Sequence, residues 1–253
     1  MSERLGGKVA FISGGARGLG ASHARRLARE GARVVIGDLL QEQGRVLVAE
    51  LTAELGAGRA LFVPLDVTDE AAWQAARERT EAAFGPVSIL VNNAGIQKLG
   101  TVLDSTLEDF DAVVKVNLNG TFLGTKAIAP SLIRAGGDSI INVSSIAGLI
   151  GLPNTVGYVA AKWAVRGITK AAALELGPHR IRVNSIHPGR IVTDLTAGLN
   201  APIRPNQLIK EPGQPEDVSN LVAFLASDES RFSTGVEFIV DGGRYVGENI
   251  AVE

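Results

Sequence analysis

Tyr158 and Lys162 stand four positions apart in "YVAAK", a spacing that on a helix sets a phenol and an ammonium on one face. A cation beside a phenol favours the ionised form, so the pair permits proton transfer. The same spacing also serves an ordinary surface pair, and spacing alone leaves both readings open. A second candidate is "SGGARGLG", where Gly14, Gly18 and Gly20 surround Arg17 and Leu19. Glycines there allow a tight turn and close backbone approach, and a helix starting at that point offers free amides and partial positive charge to a pyrophosphate. A plain strand-to-helix turn would look similar, but the place between a β-branched run and an amphipathic stretch favours the phosphate reading.

Asp38 follows 18 residues after Gly20, near where an acid accepts hydrogen bonds from an adenosine ribose. Its plainer reading is a turn or helix-cap acid. On the ribose reading a 2'-phosphate would meet a carboxylate, with Leu39 and Leu40 offering no cation, which predicts NAD rather than NADP. Arg17 argues the other way, since it could reach a phosphate from the loop.

The elements that must position these groups are legible in outline. "KVAFIS", "RVVIGD", "ALFVPLD", "SILVNN", "SIINVSS", "IRVNSIHP" and "VEFIVDGG" are nearly all apolar throughout, as strands covered on both faces of a parallel sheet are. Ala-, Glu- and Arg-rich helical stretches lie between them, several closed by glycine. The alternation predicts an α/β, doubly wound, Rossmann-type fold: a seven-stranded parallel sheet with helices on both faces, in a single domain over residues 1–253. Residues 104–136 read as one long helix starting near Asp104 or Ser105, with Pro130 tolerated close to its end. The Pro-, Gly- and Asn-rich residues 190–214 read as a substrate loop after the sixth strand, where an open sheet places ligands.

Composition narrows the classes. Over 253 residues, 45% are hydrophobic and 21% charged, and the net charge of -2 lacks the basic surplus of a nucleic-acid binder. The absence of cysteine excludes disulfides, thiolate metal sites and cysteine nucleophiles. No apolar run approaches the roughly 18 residues of a membrane span. The expectation is a soluble cytoplasmic protein with no metal, no nucleic-acid partner and no membrane partner. His23, His179 and His187 are too scattered for a metal site or triad and read as satisfied or solvent-facing. Asp104, Asp109 and Asp111 read as helix-start charges.

With these residues in hand, the chain resembles the short-chain dehydrogenase/reductase family over essentially its full length. The glycine run is followed in order by "LDV" at 65–67, "NNAG" at 92–95, Asn117 in "VNLNG", "INVSS" at 141–145, "YVAAK" at 158–162 and "HPGRIVT" at 187–193. Ser13 departs from the family's more usual threonine but keeps a hydroxyl. The resemblance implies a catalytic group of Asn117, Ser145, Tyr158 and Lys162. Ser145 is chosen over Ser144 by the family's interval of 13 residues to the tyrosine. It also implies that Ser145 binds the substrate oxygen, that Lys162 holds the nicotinamide ribose, and that Asn117 stabilises a local helix break and a water leading protons outward. Asp66 and Val67 would meet the adenine. Asn93, Ala94 and Gly95 would pass beneath the adenosine ribose, and Pro188, Gly189, Ile191 and Thr193 would receive the carboxamide and phosphate.

Physically, an alcohol or ketone needs a proton acceptor or donor at its oxygen while hydride moves. A phenol near pKa 10 must lose about three units to serve near neutrality, roughly 4 kcal/mol. A lysine charge about 4 to 5 Å away at an effective dielectric of about 20 supplies roughly 3.5 to 4 kcal/mol. Within the family the stretches "SGGARGLGASH", "INVSSIAGL" and "LELGPHRIRVNSIHPG" look most like hydroxysteroid and cyclic-alcohol dehydrogenases. Gln97, Leu152, Asn154, Leu195 and Leu199 would shape a mainly apolar pocket for a hydrophobic alcohol or ketone. Two rivals are an NADPH-dependent 3-ketoacyl-carrier-type reductase, disfavoured by Asp38 and the charge balance, and a non-catalytic NAD-binding sensor, disfavoured by intact Tyr158 and Lys162. A homotetramer built through the helices bearing Asn117 and Tyr158 is implied by the resemblance.

Overall fold

All seven apolar runs form parallel strands: β1 (Val9–Ser13), β2 (Arg33–Asp38), β3 (Ala60–Pro64), β4 (Ile89–Asn92), β5 (Ser139–Val143), β6 (Arg182–Pro188) and β7 (Glu237–Val240). The computed structural model describes residues 3–194, 196 and 207–247. One sheet takes the order β3-β2-β1-β4-β5-β6-β7. Seven α-helices connect or follow the strands: α1 (Gly18–Arg29), α2 (Gln41–Leu55), α3 (Glu70–Phe84), α4 (Leu107–Val114), α5 (Gly120–Arg134), α6 (Val156–Leu176) and α7 (Pro215–Ala226).

The pleat explains why the strands are apolar throughout. In β1, Ala10 and Ile12 join a core layer with Leu27 of α1, Leu47 of α2 and Val222 of α7. Phe11, between them, joins the opposite layer with Trp73 of α3 and Ile128 and Leu132 of α5. Phe11 and Trp73 are fully buried, with ring centroids 5.5 Å apart. Each such burial contributes about 1.5 to 3 kcal/mol. The Trp73 indole N–H donates to the Val67 carbonyl at 3.1 Å, tying the loop after β3 to this core. β7 departs from the pattern: it is one of the two edge strands, and its Ile239 is exposed.

The helical stretch expected over 104–136 begins later and is not uniform. Thr106 caps it by accepting from the Asp109 amide at 3.0 Å, so α4 starts at Leu107. Lys115–Asn119 then form a π-helical turn before α5 runs on through Pro130 to Arg134. Asp104 instead accepts from the Thr101 hydroxyl ahead of the helix, while Asp109 lies in its first turn. Among the described residues no helix is long and apolar enough to cross a membrane.

Candidate active site

The chain reverses direction across the sheet between β1 and β4, and the carboxyl ends of those neighbours open a cleft of about 720 Å³. The glycine turn forms one side. Gly14 has a φ of 62°, and a Cβ built there would lie 2.7 Å from the Ala94 Cα. A Cβ on Gly20 would lie 2.0 Å from the Gly14 carbonyl oxygen. Only glycine lets the turn and the loop after β4 approach so closely. Ser13 uses the hydroxyl it shares with threonine, accepting from the amides of Asn93 at 3.1 Å and Ala94 at 3.3 Å. The Asn93 carboxamide returns bonds to the carbonyls of Ser13 at 3.0 Å and Gly14 at 2.9 Å.

Asp38 performs a turn role at the cleft edge. Its carboxylate accepts from the Ala16 amide and the Leu40 amide, both at 3.0 Å. Arg17 pairs with Asp194 across the cleft at 3.8 Å, both side chains well exposed. Gly14, Arg17, Gly18, Leu19, Gly20, Asp38, Leu39, Asp66, Val67, Asn93, Ala94, Gly95, Pro188, Gly189, Ile191 and Thr193 all line this one cleft. The start of α1 has no side-chain cap, leaving its first amides directed at the same space. An uncapped helix start above a glycine cradle, with an acid at the neighbouring strand end, fits a dinucleotide.

The other side comes from β5 and α6. Lys162 is buried at 3% exposure, donates to the Val143 carbonyl at 2.8 Å, and has its Nζ 5.5 Å from the centroid of the Tyr158 ring. Burial holds the ammonium down to about 8. Burial also pushes the Tyr158 phenol up, while its hydrogen bond with Ser145 pulls the other way. Burial thus shifts both groups toward their neutral forms, although a lysine near 8 is still mostly an ammonium at neutral pH. Removal from water penalises either charge.

Both serines line the cleft, but Ser144 is buried and Ser145 half-buried, and their hydroxyls bond differently. The Ser144 hydroxyl donates to the Lys162 carbonyl at 3.0 Å. Ser145 caps the turn Ile146–Gly148, accepting from the Ala147 amide at 3.1 Å, and lines the cleft beside Tyr158. Asn117 sits in the π turn, wholly buried and behind the cleft wall. Its carboxamide donates to the carbonyls of Ile96 and Val113, each at 2.9 Å. A Cβ on Gly95 would meet the Asn117 Oδ1 at 2.7 Å and the Lys162 Nζ at 3.6 Å, so the two groups face a shared narrow space.

Gln97, Leu152 and Asn154 border the cleft; Leu195 and Leu199 lie outside the described residues. The Gly100 amide donates to the Asn154 carbonyl at 3.0 Å, joining the loop after β4 to the loop before α6. Sequence reading missed Arg190, Gln207 and Arg244, which also line the cleft. The last two arrive from loops far along the chain, with no motif to mark them. Among the described residues no group of three or more His, Cys, Asp or Glu could hold a metal ion. His179 is exposed. His23 is fully buried, bonded at Nδ1 to Ser219 at 2.8 Å, with no partner for Nε2 among the described residues, and so is only half satisfied.

A doubly wound sheet with a glycine turn at its switch point and a Ser, Tyr and Lys group across the cleft defines a nucleotide-dependent oxidoreductase architecture. A family model described as Enoyl-(Acyl carrier protein) reductase matches residues 14–244, and the chain belongs to the short-chain dehydrogenase/reductase family. It is 49% identical to the trans-4-hydroxycyclohexanecarboxylate dehydrogenase of Sinomonas cyclohexanicum, over 99% of this chain and 97% of that one. It is 52% identical to the 3-alpha-(or 20-beta)-hydroxysteroid dehydrogenase of Mycobacterium tuberculosis (strain ATCC 25618 / H37Rv), over 98% of this chain and 93% of that one. A crystal structure of a short-chain type dehydrogenase/reductase from Mycobacterium marinum superposes with a TM-score of 0.90 at 34% identity, covering 95% of this chain and 96% of that one.

Proposed function

We propose that this protein interconverts a hydrophobic secondary alcohol, cyclic or steroid-like, and its ketone, with NAD as cofactor and Tyr158 as the acid/base. The observation that carries the reading is the convergence of Ser145, Tyr158 and Lys162 on the cleft that also holds the glycine turn and Asp38. The two curated relatives act, by their names, on a cyclohexane alcohol and on steroids. The loops that border the cleft near Tyr158 contribute Leu99, Leu152 and Pro153, a surface suited to a ring system.

The residues of the glycine turn with Asp38, Asp66, Val67, Asn93, Gly95 and Thr193 would hold NAD, whose nicotinamide, when bound, takes or returns hydride at the substrate carbon. Ser145 hydrogen-bonds the substrate oxygen and orients it toward Tyr158. The Tyr158 hydroxyl accepts the alcohol proton during oxidation and donates it during reduction. Lys162, still mostly an ammonium at neutral pH, lowers the phenol, and the positive charge that an oxidised nicotinamide would bring supports the same shift. Asn117, facing the same space as the Lys162 ammonium, would hold a water that leads the proton outward. The NAD preference is supported by Asp38 at the ribose position, by the absence of a cation at Leu39 or Leu40, and by Asp194, which engages Arg17. Exposed Phe122 on α5 and exposed Trp163 and Leu174 on α6 support the homotetramer, to be tested by light scattering.

Steady-state reduction of NAD and NADP across cyclic, aryl and aliphatic secondary alcohols and hydroxysteroids tests the reading. NAD-linked turnover peaking on a bulky cyclic class is expected. NADP preference would overturn the use of Asp38 and favour the ketoacyl-type reductase; tight NAD binding with no turnover would favour the sensor.

A further inference from the structure

Beneath Ser145 lies a histidine that no part of the proposed mechanism uses. His187 is fully buried near the end of β6. Its Nδ1 lies 3.0 Å from the Ser145 carbonyl oxygen, and its Nε2 lies 2.9 Å from the Ser185 hydroxyl. A carbonyl only accepts, so Nδ1 carries the proton; Nε2 is then the lone-pair nitrogen and accepts from Ser185. Burial pushes the imidazole pKa down, against the opposing pull of the bond to the Ser145 carbonyl and of Glu237, with Arg166 and Lys162 acting in the same direction as burial. The neutral, Nδ1-protonated ring is therefore the form the site holds.

The neighbours show what this bond is for. The turn after β5 is gripped at several points: Ser144 on the Lys162 carbonyl at 3.0 Å, the Gly148 amide on the Ser145 carbonyl at 2.8 Å, and Arg166 on the Gly148 carbonyl at 2.9 Å. Arg166 is itself paired with Glu237 of β7 at 3.0 Å. Among these, His187 is the side chain that bonds Ser145. We propose that His187 is a positioning residue: its Nδ1–H anchors the Ser145 carbonyl and thereby sets the Ser145 hydroxyl relative to Tyr158, with Ser185 selecting the tautomer. This rests on the reading of Ser145 as the group that binds the substrate oxygen.

The test compares His187→Leu, His187→Asn and Ser145→Ala with the parent protein. Leucine removes the donor, and kcat is expected to fall about 10- to 100-fold, the scale of a small misplacement at a reacting group. NAD affinity and alcohol KM should stay within about twofold, since His187 is not among the residues that line the cleft. Asparagine puts an amide N–H where Nδ1 was and should recover most of the lost kcat. A merely packing role would predict the reverse order, because leucine fills the apolar volume better than asparagine. Nitrogen NMR of the imidazoles in the unmutated protein should show a His187 protonated at Nδ1 alone; an Nε2-protonated or doubly protonated ring would overturn the proposal without any variant. If Ser145→Ala abolishes turnover while His187→Leu keeps it, the positioning role fails and the function stands. If Ser145→Ala keeps normal turnover, the reading of Ser145 fails and the positioning role with it.

Discussion

The Lys162 ammonium lies 5.5 Å from the centroid of the Tyr158 ring and donates to the Val143 carbonyl at 2.8 Å, so the helix spacing of four is realised as a buried lysine, tethered to the end of β5, under a half-buried tyrosine. A surface pair would leave both side chains in water, where their interaction is worth little. Here burial shifts each group toward its neutral form, and on the proposed reading a cation arriving with the cofactor would tip the phenol toward ionisation.

Tyr158→Phe removes the hydroxyl and keeps the ring. Turnover should fall about 10²- to 10⁴-fold, the usual contribution of a general acid/base, while NAD binding measured by fluorescence titration persists. Near-normal turnover would take Tyr158 out of the mechanism.

Lys162 makes the cofactor-free protein more stable as the pH rises from 8. Its pKa is about 8 when folded against 10.5 in the reference state, so between those values the unfolded chain binds more protons. Stability therefore grows with pH across that window, by up to about 3 kcal/mol. Above pH 10 the raised Tyr158 acts oppositely, because the folded form keeps a proton the unfolded form has lost. Urea melts from pH 8 to 10 should show the rise, and Lys162→Met should flatten it; an equal slope in the variant would assign the effect elsewhere.

Asp38→Ser combined with Leu39→Arg replaces a carboxylate by a hydroxyl and adds a guanidinium that can fork onto a 2'-phosphate. The ratio of kcat/KM for NADP over NAD should rise at least about tenfold, equivalent to about 1.4 kcal/mol. An unchanged ratio would show that the acid does not discriminate.

His23 should make the fold acid-sensitive. Burial between α1 and α7 holds its pKa at about 3, below the reference 6.5, so the unfolded chain binds more protons between these values and stability is lost as the pH falls through them. The loss reaches up to about 5 kcal/mol near pH 3. His23→Asn, which keeps a side-chain amide toward Ser219, should move the acid midpoint in a circular-dichroism titration to lower pH. A midpoint that does not move would clear His23.

The fold was legible where burial on both faces erased alternation: residues such as Phe11, Val35 and Leu90 must be apolar whichever side they face. The glycine turn and the Tyr158 and Lys162 spacing were legible because each is a local requirement of backbone conformation or helix geometry, written within a few residues, whereas Ser145 was chosen by the family's interval to the tyrosine. The π turn at Lys115–Asn119 was not legible from residue types, since a shift from α to π hydrogen bonding leaves them unchanged, and the break at Asn117 was implied only by the family resemblance. The half-exposed β7 was not either, because an apolar edge strand reads like a central one.

Residue types and short spacings thus determined the class of fold and the glycine turn, while the proposed reacting side chains came from the family resemblance. Tertiary structure decided what surrounds them: that the Ser144 hydroxyl turns to Lys162 while Ser145 stays half-buried at the cleft, that Arg17 meets Asp194, and that His187 holds Ser145 from 42 residues along the chain. Those outcomes depend on which strands become neighbours. β5 and β6 pair residue for residue only after the whole of α6 has crossed between them, and local sequence carries no trace of the partner that the crossover delivers.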